Sequence, residues 1–102
     1  MPYFVVTSDR GAAWDWARPM RQQDAWTEHA DFMDRLTAEG FVALGGTLGE
    51  GRATGALLIV RSDSAGSVRA RLESDPWTRS GHLVVRSIEP WTVLLGTLDH
   101  RT

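Results

Sequence analysis

The middle of the chain constrains its fold more than any other stretch. Phe41-Val42-Ala43-Leu44-Gly45-Gly46 and Ala56-Leu57-Leu58-Ile59-Val60-Arg61 are two apolar runs separated by a tract with glycine at positions 49, 51 and 55. Strand-forming runs on either side of glycines, which adopt turn conformations without steric cost, read as a β-hairpin. A helical pattern lies on each side of that hairpin. Upstream, residues 25 to 39 place Trp26, His29, Ala30, Met33 and Leu36 on one stripe with Glu28, Asp31 and Arg35 opposite, and Gly40 closes the helix. Downstream, Ser62-Asp63-Ser64 offers caps for a short helix that puts Ala65, Val68 and Leu72 on one side and stops before Pro76. Residues 2 to 7 form a first strand, ended by the turn signal Ser8-Asp9-Arg10-Gly11, and residues 83 to 95 form a closing strand bent at Pro90. The segment with Trp14, Trp16 and Pro19 has no clean period and reads as a loop entering the first helix.

The order is β-α-β-β-α-β, the split unit of the ferredoxin-like fold: an α+β protein with an antiparallel four-stranded sheet and two helices on one face. One domain, residues 1 to 102, accounts for a chain of this length. Apolar residues on both sides of the later strands imply that the second sheet face is also covered, and a second copy of the chain is the simplest cover. A homodimer is expected.

Composition narrows the function by exclusion. A net charge of -2 with scattered arginines offers no basic field for a phosphate backbone, so no nucleic acid is expected as a partner. No run approaches the roughly 18 apolar residues of a membrane span, and the N-terminus has neither a basic lead nor a cleavage site, so a cytoplasmic protein without a membrane partner is expected. The chain has no cysteine and no lysine, which removes thiolate and Schiff-base chemistry. Three dispersed histidines lack the tight spacing of a metal site, and none is expected. Histidines and acids remain for proton transfer.

One pairing of these is favoured by topology. The two helices of a β-α-β-β-α-β unit run antiparallel, which brings the early part of the first helix to the end where the second one exits, and with it His29 to Asp75. Asp75 opens the polar turn Asp75-Pro76-Trp77-Thr78-Arg79-Ser80-Gly81-His82. An imidazole titrates near neutrality, and a carboxylate on one ring nitrogen fixes its tautomer and leaves the other free to take a proton. The alternative is structural: a satisfied core histidine, and an aspartate that caps the turn before Pro76.

With these elements in place the chain resembles the YCII-related family of dimeric α+β barrel proteins. The resemblance rests on His29 within Trp26-Thr27-Glu28-His29-Ala30-Asp31-Phe32-Met33, on Gly45-Gly46, on Asp75-Pro76-Trp77 and on Glu89-Pro90-Trp91, and it covers most of the chain. It implies a His-Asp dyad at His29 and Asp75. It also implies a cofactor-free, lyase-like activity of the dehydrochlorinase kind, the elimination of hydrogen chloride from a chlorinated hydroxyquinol. The segment from Trp14 to Gln23 is long for the family's smallest members.

Around the dyad the substrate contacts expected are Trp26, Met33, Gly46, Trp77 and Arg86. Tryptophans suit the stacking of a planar ligand, although they equally suit a core. Gly45-Gly46 permits close backbone approach, and Arg86 is either a partner for a carboxylate or phenolate in the cavity or a surface residue. Trp91 is expected in the core or a dimer contact, Trp14 and Trp16 as a lid, as a wall of a partner's site or as surface packing, and His82 and His100 in solvent. Three functions remain open: a cofactor-free lyase or isomerase on a planar polar or aromatic small molecule, a non-catalytic metabolite-binding or accessory module, and a cofactor-free monooxygenase.

Overall fold

The computed structural model describes residues 1–98. Its elements are β1 Tyr3–Arg10, α1 Trp26–Ala38, β2 Val42–Leu48, β3 Gly55–Arg61, α2 Ala65–Leu72, α3 Pro76–Ser80 and β4 Leu83–Trp91, with 3₁₀ turns at Met20–Gln22 and Gly51–Ala53. The sheet is antiparallel in the order β2-β3-β1-β4, as the ferredoxin-like fold requires.

Three boundaries differ from the sequence expectation. The first strand does not stop at Thr7; it runs through Ser8-Asp9-Arg10, because β1 is a central strand whose pairing with β3 and β4 on both sides outweighs a local turn preference. The closing strand ends at Trp91. The turn at Asp75 is the start of a third, one-turn helix: Asp75 accepts the Trp77 N–H at 3.0 Å, Pro76 occupies the first turn where its missing N–H is harmless, and Gly81 ends it at φ 85°.

The core lies between the sheet and the helices, built from Phe4, Val6, Val42 and Val60 of the sheet against Phe32 and Leu36 of α1 and Val68 and Leu72 of α2. Strand alternation sets this. Even-numbered residues of β1 face the helices and odd-numbered ones face away, and Phe4 and Val6 pair with Val60 and Leu58 of β3. The outer face carries Leu44, Leu48, Val84 and Trp91, each about half exposed. Trp91 therefore sits outside the core.

Helix α1 begins on an unusual residue. Ala25 takes the cap position with φ 62°, without a side-chain cap, and its carbonyl accepts the His29 N–H at 3.0 Å. A left-handed conformation costs an ordinary residue about 1–2 kcal/mol, which glycine avoids. Ala25→Gly is expected to raise stability by roughly 0.5–1 kcal/mol after its own unfolded-state entropy is set against that relief, read as an upward shift in the thermal midpoint.

Candidate functional site

Toward one end of the layer between sheet and helices, the sheet surface changes from bulky to small. Ser8, Gly45 and Ala56 stand where Phe4, Val42 and Val60 fill the core, and the space they leave is a cavity of about 640 Å³ beneath α1, α3 and the loop after β1. A Cβ on Gly45 would lie 2.7 Å from Leu58 Cδ2, whereas one on Gly46 would meet nothing within 4 Å. Both residues line the cavity, and a side chain at Gly45 would require the Leu58 side chain to shift.

The dyad is assembled here. His29, one turn into α1, places Nδ1 2.8 Å from Asp75 Oδ1. An ionised carboxylate only accepts, so Nδ1 carries the proton and Nε2 keeps its lone pair. Nε2 has no hydrogen-bond partner among the described residues and is not sealed from solvent; it opens to the cavity that His29 lines. Asp75 is only 3% exposed, and the same Oδ1 accepts the Trp77 backbone N–H. Its orientation is thus set by the cap of α3. The helix that starts at Asp75 also delivers Trp77, 2% exposed, whose ring stacks on His29 with centroids 4.0 Å apart and planes 10° from parallel. Trp77 Nε1 donates to the Asp24 carbonyl at 2.8 Å and ties α3 to the approach to α1.

The loop that the sequence left without a period is held by one buried side chain. Gln23 donates from Nε2 to the carbonyls of Asp15 and Arg18, at 2.7 and 2.9 Å, and accepts the Asp15 N–H at 2.9 Å. This fixes Trp14, which is buried, lines the cavity and meets Trp77 edge-on at 5.2 Å between centroids. Trp14 is a wall of the cavity. Trp26 and Met33 of α1 line it as well, as does Trp77.

Two expectations are corrected. Arg86 does not reach the cavity: it lies on the outer face of β4, its side chain 70% exposed, 3.8 Å from Asp9. The cause is a β-bulge, since Ser87 pairs with Thr7 but Val85 pairs with Ser8, leaving Arg86 as the extra residue. His82 is not solvated. It is 6% exposed, stacks with Trp77 at 5.7 Å between centroids and bonds Ser80 through Nδ1 at 2.6 Å. His100 lies outside the described residues.

Conversely, the structure brings Arg10 to the cavity, a role the turn reading of Ser8-Asp9-Arg10-Gly11 concealed. A second depression of about 660 Å³, between α1 and α2, holds neither member of the dyad. Among the described residues no helix is long and apolar enough to cross a membrane.

The model of the YCII-related domain matches residues 1–92. The chain belongs to this family. No match is found among the curated proteins. Among solved structures the YCII-related chain is similar to 5-chloro-2-hydroxyhydroquinone dehydrochlorinase from Burkholderia phenoliruptrix AC1100, determined in complex with 2,5-dihydroxybenzoquinone, at 26% identity and a TM-score of 0.65 over 90% of this chain and 94% of that one.

Proposed function

We propose that the chain, acting as one YCII-like domain, is a cofactor-free lyase or isomerase on a planar polar or aromatic small molecule, with His29 as the proton-transferring base and Asp75 as its orienting partner. The observation that carries this reading is the hydrogen bond between His29 Nδ1 and Asp75 beside a cavity to which Nε2 is open. The likeness to a dehydrochlorinase supports the same chemistry. In such an elimination the ring reacts as its keto tautomer, in which the chlorine-bearing carbon is tetrahedral. Nε2 takes the proton of a conjugated ring hydroxyl, which becomes a carbonyl, the displaced ring electron pair forms a new double bond to the chlorine-bearing carbon, and chloride leaves with its bonding pair. Asp75 stabilises the imidazolium, which then gives its proton to water. No oxidant is consumed, and the walls of Trp14, Trp26, Trp77 and Met33 suit a flat ring.

The test is chloride release from a chlorinated hydroxyquinol, followed together with oxygen uptake. Chloride release without oxygen uptake supports the lyase. Oxygen uptake marks a monooxygenase, and binding without turnover of any kind marks a metabolite-binding module.

We further propose that the protein is a cytoplasmic homodimer joined through the outer sheet face, where Leu44, Leu48, Val84 and Trp91 form an apolar surface of the kind monomers rarely leave uncovered. Sedimentation is expected to give twice the chain mass, and Leu48→Glu to lower it toward one; a monomeric native chain overturns the dimer.

A further inference from the structure

We propose that Arg10 is the anion-binding residue of the cavity, so that the substrate is a planar ring carrying an ionised oxygen, a phenolate, enolate or carboxylate, held by Arg10 while its reacting hydroxyl faces His29. This rests on the reading of the cavity as a planar-substrate site and names the class of ring it selects.

Among the described arginines, Arg10 alone is not exposed. It is the last residue of β1 and, being even-numbered on that strand, it points to the helix side, where its partner across the sheet, Leu83, also lines the cavity. Its neighbour Asp9 points to the opposite face and lies against Arg86. The next acids along the chain, Asp15 and Asp24, meet Arg18. Asp75 is the single carboxylate among the lining residues, and it is occupied by His29. Arg10 consequently has neither an ion-pair partner nor a hydrogen-bond acceptor among the described residues.

The guanidinium is nonetheless held in place. It lies 3.9 Å from the centroid of the Trp14 ring, with Trp16 at 5.5 Å, a cation–π arrangement that keeps its plane and its donors available. Burial lowers its pKa from the usual arginine value, yet an arginine remains charged at neutral pH. A partly desolvated cation with five unused donors is a site waiting for an acceptor, and its fork matches a carboxylate or a pair of ring oxygens bidentately. The order Arg10, Trp14, Trp77, His29 is continuous, each group in contact with the next, so the cation and the base are joined by one aromatic wall of the same cavity.

Calorimetric titration with two probes separates the charge from the ring. The first is 2,5-dihydroxybenzoquinone, the molecule held by the dehydrochlorinase, whose acidic hydroxyls are ionised at neutral pH. The second is its dimethyl ether, the same flat ring without acidic protons. Because the chain has no cysteine or lysine, side-chain addition to either quinone does not confuse the readings.

The native protein is expected to bind the anion at least about 10-fold more tightly than the ether. Arg10→Met is expected to weaken the anion by roughly 10- to 100-fold and to leave the ether within about two-fold, with Arg10→Lys in between. If Arg10→Met does not fold, Arg10→Lys decides: anion affinity reduced more than ether affinity supports the assignment, and equal affinities with the native protein overturn it. Equal weakening of both probes in Arg10→Met also overturns it, since Arg10 would then only brace Trp14. A native protein that binds both probes alike, while chloride release still depends on His29, overturns this inference and leaves the dyad standing. A native protein that binds neither overturns the planar-substrate reading along with it.

Discussion

His29→Asn is expected to lower kcat on a chlorinated hydroxyquinol by about 10²- to 10⁴-fold, the usual contribution of a positioned general base, while the dissociation constant of the substrate changes by less than about three-fold. Asparagine is close to histidine in polarity and is tolerated within a helix, so the variant removes the proton acceptor without emptying the cavity. Stopped-flow turnover and calorimetry on the same preparation give the two quantities separately. The partner substitution sharpens the result. Asp75 has two duties, orienting the imidazole and capping α3, and Oδ1 performs both. Asparagine caps a helix about as well as aspartate but brings no charge, so Asp75→Asn should keep the fold and lose the stabilisation of the imidazolium. Asp75→Ala should lose both, with an additional stability cost of about 0.5–2 kcal/mol from the cap. A His29→Asn protein that turns over at the native rate would remove the dyad from the mechanism.

The largest structural effect is expected at Trp77. Truncation of Trp77 to alanine should destabilise the protein by about 3–5 kcal/mol, because a fully buried indole leaves a cavity that its surroundings only partly fill. In a domain of this size each kcal/mol moves the thermal midpoint by roughly 4–8 °C, so a drop on the order of 15 °C or more is expected in a calorimetric scan. The ring contacts Trp14, Trp26, His29 and His82, and its N–H holds the Asp24 carbonyl, so one substitution loosens α3, the start of α1 and the loop after β1 together. Trp77→Phe should recover most of the stacking and lose the Asp24 bond, giving an intermediate value. A Trp77→Ala midpoint within a few degrees of the native one would show that the three segments hold without it.

The hairpin, the helices α1 and α2 and the union of His29 with Asp75 were legible because each follows from a strong signal: glycines between apolar runs, a helical stripe, a serine cap at Ser64, and a topology that brings helix ends together. What stayed hidden depended on non-local pairing. Arg10 sits in a run that reads as a turn, and only the strands on both sides of β1 extend it. Arg86 stands two residues before Ile88, which packs against the core, so strict alternation turns it inward; a single extra residue in β4 reverses that parity. The one-turn helix α3 did leave a local trace, aspartate followed by proline with glycine after the last turn, which is the signature of a short capped helix as much as of a turn. Gln23 left none, since its three bonds reach back along an irregular loop.

Trp77 stacks with two imidazoles, and Trp14 and Trp26 lie within 5.6 Å of it, centroid to centroid. Indoles this close share excitation energy, and a protonated imidazole in contact with an indole quenches its emission. The cluster is therefore an unlabelled optical reporter of the charge on His29 and His82, with the intrinsic fluorescence dimming as either ring takes up a proton, and the gain of a proton by the base during turnover becomes visible in the light the protein itself emits.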